Sequence, residues 1–246
     1  SSINAMLYVR GHRSDYDHWA ALGYAGWSFD EVLPLFRRAE NNERFRQDSF
    51  HGTGGPLNVA DLTSPSDIDE AFVRAAVNHG IPRTSDYNGA EQFGSFHYQV
   101  TQKGGERWSA AKGYLTPNLS RPNLKVITGA VSARVLLNGR CATGVAYYQG
   151  NDLKEVRARR EVILSGGAFG SPQLLMLSGI GPVTELKKQG IAVTHELPGV
   201  GWNLQDHIDY VQTYLSPSNT QTFGVSLRGT VRTTKAIFEW RNKRTG

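Results

Sequence analysis

The sequence is poor in cysteine and in long apolar runs, and each shortage excludes a class of protein. Its 246 residues include a single cysteine, Cys141, so no internal disulfide can form. No apolar run approaches the roughly 20 residues that a membrane-spanning helix needs. The chain also opens without the basic and then apolar segment of a secretory signal. We therefore expect a protein of the cytoplasm, or one associated peripherally with a membrane.

Several common site motifs are absent as well. The seven histidines include no pair at H-x-x-x-H spacing, and one cysteine cannot build a thiolate cluster, so we expect no metal. The absence of a G-x-S-x-G element argues against a hydrolase with a nucleophile elbow. The net charge of +5 is mild, and the basic clusters carry no interleaved aromatic residues. We therefore expect no nucleic-acid partner.

The most informative stretch runs from Glu161 to Gly181 and reads E-V-I-L-S-G-G-A-F-G-S-P-Q-L-L-M-L-S-G-I-G. Its branched apolar residues at 162–164 predict a strand buried on both faces. Glycines follow, and Ser171 with Pro172 predicts a helix start, as N-cap and first helical residue. A buried strand, a glycine turn and a helix N-terminus together suit a phosphate or a flat ring. On this pattern alone, an ordinary strand–turn–helix unit of an α/β sheet is an equal alternative.

Local patterns predict further elements. Ser28 and Glu31 form a capping box that predicts the start of a helix. Alternating aromatic and apolar residues over 94–102 predict a half-buried strand of an antiparallel sheet. Gly150 and Asn151 predict the turn of a β-hairpin.

Four stretches, in order along the chain, resemble signature segments of the glucose-methanol-choline (GMC) flavoprotein oxidoreductases, especially the choline and alcohol dehydrogenases. They are S-S-I-N-A-M-L-Y-V-R-G-H at 1–12, R-P-N-L-K-V-I-T-G-A at 121–130, G-A-F-G-S-P-Q-L-L-M-L-S-G-I-G at 167–181, and L-P-G-V-G-W-N-L-Q-D-H at 197–207. Ordered matches over most of the chain are far more specific than a single glycine motif.

The resemblance implies a mixed α/β (α+β) fold, with a partial Rossmann-like FAD-binding domain joined to an antiparallel-sheet substrate domain. It assigns residues 1–60 and 116–207 to the first domain, and residues 61–115 and 208–246 to the second. In the family, a G-x-G-x-x-G loop for the FAD pyrophosphate precedes such a segment, and the catalytic histidine follows it. Neither has a counterpart here, so we expect the interior of a longer protein and no catalytic residue within this chain.

The resemblance also implies which residues contact the cofactor, expected to be FAD. Asn4 matches the family's asparagine at the flavin. Ile3 stands where some members carry a histidine bonded to the flavin, so we expect FAD to be held non-covalently. Aligned on Arg134, Ser132 corresponds to the residue whose backbone contacts adenine. The predicted cofactor residues are Ser2, Asn4, Ala5, Met6, Leu7, Val131, Ser132, Gly166 and Gly167.

The implied function is oxidation of a primary alcohol to an aldehyde, with hydride transfer to flavin. Choline or an aliphatic or polyether alcohol is the expected substrate, and a quinone or O₂ is the expected electron acceptor. Asp209 is the candidate substrate contact, because choline-oxidising members carry a carboxylate at this position; a surface Asp in a salt bridge is the alternative. A lyase of the hydroxynitrile type and a non-catalytic FAD-fold or interaction module are the other functions open at this point.

Overall fold

The computed structural model describes residues 4–46, 48–213 and 227–245. They form two compact units, one of residues 4–124 with 227–245 and the other of residues 125–213. Both units combine helices with strands, so the expected mixed fold class is confirmed. The helices are α1 (Arg13–Ala21), α2 (Phe29–Ala39), α3 (Asp67–Asn78), α4 (Gly167–Leu177), α5 (Val183–Lys188) and α6 (Leu227–Lys243). The strands are β1 (Glu40–Asn42), β2 (Leu57–Val59), β3 (Gln102–Lys103), β4 (Glu106–Arg107), β5 (Ala130–Asn138), β6 (Cys141–Gln149), β7 (Asp152–Arg157), β8 (Ile180–Gly181) and β9 (His195–Glu196).

In the first unit, two short strand pairs connect long loops. β1 and β2 pair in parallel, and β3 and β4 pair antiparallel. The helix α2 begins where the sequence predicts: the N–H of Ser28 donates to Glu31 Oε2 at 3.0 Å, and the capping box is confirmed. The buried apolar residues of this unit include Val59, Val73 and Tyr87.

The strand predicted over residues 94–102 is wrong. Instead of one partner strand, the segment meets several neighbours through isolated bridges, of Ser95 with Arg83 and of Val100 with both Leu7 and Ala60. Its aromatic residues pack as a cluster, in which the ring of Phe96 stacks on that of Tyr87 at 4.2 Å between centroids. The alternation therefore reports burial of aromatic side chains. It does not indicate backbone hydrogen bonding to a single partner strand.

In the second unit, β5, β6 and β7 form an antiparallel sheet. β6 and β7 join at the predicted hairpin turn, with Gln149 opposite Asp152 and Gly150 at a φ of 63°, which glycine adopts without strain. The helix α4 packs against β5. At its end, Ser178 Oγ donates to Leu174 O at 2.6 Å and accepts from the N–H of Val135 at 2.8 Å. This hydroxyl fastens α4 to the sheet.

Two details of the stretch 161–181 differ from the prediction. Residues 161–165 form no regular element and pair with no strand among the described residues, and Ile163 is 75% exposed. A strand buried on both faces needs a partner on each edge, and the second unit supplies none here. The helix begins at Gly167, so Pro172 lies inside it and Ser171 is not its N-cap. Ser171 Oγ instead accepts from the N–H of Gly166 at 2.9 Å, and this bond holds the glycines in the first turn.

Candidate functional site

In the second unit, the start of α4 borders a cavity of about 410 Å³. Its lining brings together two of the predicted cofactor residues, Ser132 of β5 and Gly166. Val131 neighbours Ser132 and is 68% exposed, and Gly167 follows Gly166 as the first residue of the helix. The remaining lining residues are Val145, Ile163, Leu164, Ser165, Gly170, Gln173, Leu174 and Leu177. The lining is thus largely apolar, with Ser132, Ser165 and Gln173 as its polar side chains and glycine backbone at the end that borders the start of α4.

The backbone at this end of the cavity is open to a ligand. No described side chain caps the N-terminus of α4, so N–H groups of its first turn have no capping side chain as acceptor. A Cβ built on Gly167 or on Gly170 would meet no atom within 4 Å. A break in the regular pairing of β5 lies next to Ser132, and such irregularities re-aim neighbouring side chains. An anionic or flat polar group fits this arrangement, because the dipole and the free N–H groups of a helix start attract negative charge.

In the first unit, the chain bends at Asn4 and forms a bridge to Val100 at Leu7; residues 4–7 are exposed or partly exposed, and we call them the turn at 4–7. Asn4 Oδ1 accepts from the N–H of Met6 at 2.8 Å and from Arg107 Nη1 at 2.9 Å. Met6 has a φ of 64°, a left-handed conformation that is uncommon for a residue other than glycine. Strain of this kind persists where the surroundings fix the backbone, and it clusters at ligand sites. Ser2 and Ile3 lie outside the described residues.

The segment that follows this turn is held by buried polar groups. The hydroxyl of Tyr87 donates to Tyr8 O at 2.8 Å, and Asn88 Nδ2 donates to the same oxygen at 3.0 Å. The N–H of Tyr8 donates to Gln99 O at 2.9 Å. The N–H of Gln99 in turn donates to the Tyr87 hydroxyl at 2.8 Å. The backbone of the segment is therefore positioned both by side chains and by backbone bonds to residues 99–101, where Leu7 forms an antiparallel bridge with Val100.

A closed chain of hydrogen bonds lies beneath this segment; we call Arg10, Glu40, His51, Asp86 and Asn88 the buried network. Arg10 Nη2 donates to Glu40 Oε2 at 2.6 Å, and Glu40 Oε1 lies 3.1 Å from His51 Nδ1. His51 Nε2 lies 3.1 Å from both oxygens of Asp86. The N–H of Asn88 donates to Asp86, and Asn88 Oδ1 accepts from the N–H of Arg10 at 2.9 Å, which closes the chain.

The charges of the buried network match its geometry. Burial alone would lower the pKa of His51, but hydrogen bonds to Asp86 and Glu40 raise it to about 9. Burial raises the pKa of Glu40, yet hydrogen bonds from His51 and Asn42 and the charge of Arg10 bring it below its ordinary value. Burial also raises the pKa of Asp86, yet the hydrogen bond and charge of His51, the N–H of Asn88 and the charge of Arg44 together bring it below its ordinary value. His51 is therefore an imidazolium between two carboxylates at neutral pH.

The contacts of the buried network were not predicted from the sequence. Asp48, His51 and Asp86 bring ligand-type atoms within 4.8 Å of one another, a spacing that also suits a metal ion. However, both ring nitrogens of His51 already face carboxylates, so a metal ion would have to displace a proton from one of them and break a bond of the network. The H-G-T-G-G element at 51–55 was the available signal for this network. Nothing in its spacing indicates that the histidine is buried.

Asp209 lies in the second unit, in a stretch without regular secondary structure over residues 204–213. Its neighbours Ile208 and Tyr210 are exposed, and so is Asp209. A role of Asp209 in substrate contact stays a prediction.

Comparison with known proteins gives the family context. A sequence model described as GMC oxidoreductase matches residues 1–209. The chain is 45% identical over its whole length to an alcohol dehydrogenase [acceptor] of Pseudomonas putida, of which it covers 45%. It is 46% identical, over 86% of its length, to an oxygen-dependent choline dehydrogenase of Brucella anthropi, of which it covers 38%.

A solved structure extends the likeness to the fold. The FAD-dependent oxidoreductase of Chaetomium thermophilum superposes with a TM-score of 0.87 over 99% of this chain at 31% identity, and the chain covers 45% of it. The chain thus spans less than half the length of each of these relatives.

Proposed function

The chain belongs to the GMC oxidoreductase family, and from that premise we propose that the full-length protein binds FAD non-covalently and oxidises a primary alcohol to its aldehyde. The observation that carries the proposal is the 45% identity to an alcohol dehydrogenase over the whole of this chain. Identity at that level over four ordered signature segments supports a shared cofactor and reaction class.

We propose choline or an aliphatic or polyether alcohol as the substrate, and a quinone or O₂ as the electron acceptor. The names of two relatives, an alcohol dehydrogenase and an oxygen-dependent choline dehydrogenase, support this range. Asp209 is the proposed contact for a cationic alcohol, since a carboxylate pairs with an ammonium group.

The residues at the start of α4 fit a part of the cofactor. We propose that the backbone of Ser132 and Val131 and the backbone at Gly166 and Gly167 bind it. The support is the cavity of about 410 Å³ and the helix start that no described side chain caps. When bound, FAD supplies the isoalloxazine ring that accepts a hydride.

The turn at 4–7 fits a second contact, and we propose that it lies against the flavin. Asn4 shapes the turn through its Oδ1, and the left-handed Met6 turns the backbone sharply between its two neighbours. A backbone fixed in this way can orient a bound ring without reorganisation during the reaction. Ser2 is proposed as a further contact from the sequence alone.

The domain assignment follows the family: we propose that residues 1–60 and 116–207 serve cofactor binding and that residues 61–115 and 208–246 serve substrate binding. No helix in the described part of the chain has both the length and the apolar character to cross a membrane. We also propose that the full-length protein is either cytoplasmic or peripherally associated with a membrane. Fractionation of cells with and without a high-salt wash distinguishes the two locations.

Anaerobic mixing of the full-length protein with alcohols tests the proposed reaction. We expect the visible flavin absorbance to bleach with choline or with an aliphatic or polyether alcohol. A flavin that stays oxidised while a cyanohydrin is cleaved would instead indicate a lyase, and a protein that purifies without flavin would indicate a non-catalytic module. Acid precipitation should release the flavin into the supernatant, because Ile3 offers no nucleophile to hold it.

A further inference from the structure

The buried network connects one histidine to the turn that we propose contacts the flavin. Its two ends meet at Arg10, whose side chain binds Glu40 and whose backbone N–H binds Asn88. Asn88 also donates to the carbonyl oxygen of Tyr8, the residue that follows the turn at 4–7. The N–H of Thr101 donates to Met6 O at 2.8 Å. The network therefore supplies two of the bonds that fix the backbone of the segment 6–10.

His51 is the member of the network that joins two anions. Its side chain is fully buried, with one ring nitrogen toward Glu40 and the other toward Asp86. A neutral imidazole has one donor and one acceptor, so it would leave an acceptor facing a carboxylate. Two donors are needed to close the network, and a protonated histidine supplies both.

The position of His51 is fixed from several sides. Phe45 stacks on its imidazole with 4.6 Å between ring centroids, and Arg37 Nε donates to its carbonyl oxygen at 3.2 Å. The next residue must be glycine, because a Cβ on Gly52 would collide with Arg37 O. The N–H of Gly52 then donates to Glu40 Oε2 at 3.0 Å. The backbone thus presents the imidazole to both carboxylates in one orientation.

We propose that His51 is a positioning residue: it holds Asp86 and Asn88 against the segment 6–10, and thereby sets the turn at 4–7 that binds the flavin. The inference rests on the proposed function, because the turn is a flavin contact only if the protein binds FAD. His51 does not touch the cofactor in this scheme. It acts through Asp86, Asn88 and the backbone of Tyr8.

The test uses the full-length flavoprotein and three variants. His51→Gln keeps one donor but faces the second carboxylate with an amide oxygen, so it opens the network. Asp86→Asn keeps the network closed with a neutral histidine, because the new amide can donate to Nε2 while Nδ1–H donates to Glu40. His18→Gln removes an exposed histidine of α1 and is the matched control.

Three readouts separate positioning from general stability. They are amide hydrogen exchange over residues 6–10, the dissociation constant of FAD between pH 6 and 10, and the visible absorption band of the bound flavin. The charged groups around His51 and its two carboxylate partners bear on the pH range. They are Glu40 of β1, Asp86, Arg10, Arg37 and Arg38 of α2, and Arg44, Arg46 and Asp48 of the loop before His51.

We expect His51→Gln to speed exchange over 6–10, shift the flavin band and weaken FAD binding by about ten- to hundredfold, the scale of a small misplacement of a contact. Wild-type affinity should fall as pH rises toward 10, whereas Asp86→Asn should bind FAD at wild-type strength with a flat pH profile. His18→Gln should match wild type.

Three results would overturn the proposal, and they point to two different faults. If His51→Gln folds and binds FAD with the wild-type constant and spectrum, His51 is structural only. The same conclusion follows if His51→Gln fails to fold and Asp86→Asn leaves the pH profile unchanged. If the wild-type protein binds no FAD at all, the proposed function falls, and the flavin part of this inference falls with it.

Discussion

Replacing Glu40 by glutamine should destabilise the first unit strongly. Glu40 is fully buried, and its oxygens accept from Arg10, His51, Asn42 and the N–H of Gly52. Glutamine keeps the size of the side chain, but it removes the charge and turns one acceptor into a donor. Arg10 then loses the one carboxylate that it pairs with among the described residues, while its Nε is already buried without a partner.

The size of this loss follows from the burial of the pair. Breaking a buried ion pair by removing one partner costs about 3–5 kcal/mol. A loss of that size speeds amide exchange through global or local opening by between about 10² and 10⁴. Native-state hydrogen exchange of the full-length protein measures this increase in exchange rate at Asn42 and Ala60, whose N–H groups donate to Gly52 O and Val100 O, respectively.

Glu70→Gln is the matched control. Glu70 also has two cationic partners, with oxygens 2.8 and 3.1 Å from Arg83 and 2.9 Å from His97, and these contacts lower its pKa to about 2. Its carboxylate lies largely in solvent, however, so water screens the charges and the loss should be far smaller. A Glu40→Gln variant that speeds exchange less than about tenfold, or a Glu70→Gln variant with an equal effect, would refute this account of the buried pair.

Three further predictions concern pH, cofactor and substrate. The folded-state pKa of His51 is raised to about 9, so its contribution to stability is full below the unfolded pKa of about 6.5 and is lost as pH rises through about 9. Thermal melts from pH 6 to 10 should show this fall in stability. A melting temperature that stays flat across that range would contradict it. Asn4→Ala removes the acceptor of the Met6 N–H and should weaken FAD retention by about 1–3 kcal/mol; equilibrium dialysis checks it, and unchanged retention excludes the contact. Asp209→Asn should lower kcat/KM for choline by about ten- to hundredfold and spare a neutral alcohol of similar size, whereas equal losses would indicate a structural role.

The sequence predicted those elements whose signals are local. The capping box at Ser28 needs only Glu31 three residues later, and the hairpin turn needs only a glycine that accepts a positive φ. Short-range rules of this kind hold whatever the rest of the chain does. The family signatures identified the cofactor in the same way, through residues that are contiguous in sequence.

The sequence could not predict features that depend on distant partners. Residues 162–164 are apolar enough for a buried strand, yet a strand also requires neighbours, and none of the described residues pairs with them. His51 and Asp86 are 35 residues apart, and no periodicity connects them. The type of a polar residue does not show whether it lies at the surface or in a buried network. Only the fold separates them.

The first unit needs the buried network because its strands form few backbone hydrogen bonds with one another. β1–β2 and β3–β4 pair over three and two residues, so most of the backbone polar groups outside the helices lie in loops. Buried N–H and C=O groups need partners, and side chains must supply them where strands do not. Tyr8 O, Gly52 N–H and Arg10 N–H are all satisfied in this way. Replacing buried ion pairs by apolar residues is often neutral in other proteins. Here such a replacement would also remove the acceptors of two backbone donors, Glu40 for the Gly52 N–H and Asp86 for the Asn88 N–H, so the charges of the network cannot be exchanged for apolar packing without cost to the backbone around it.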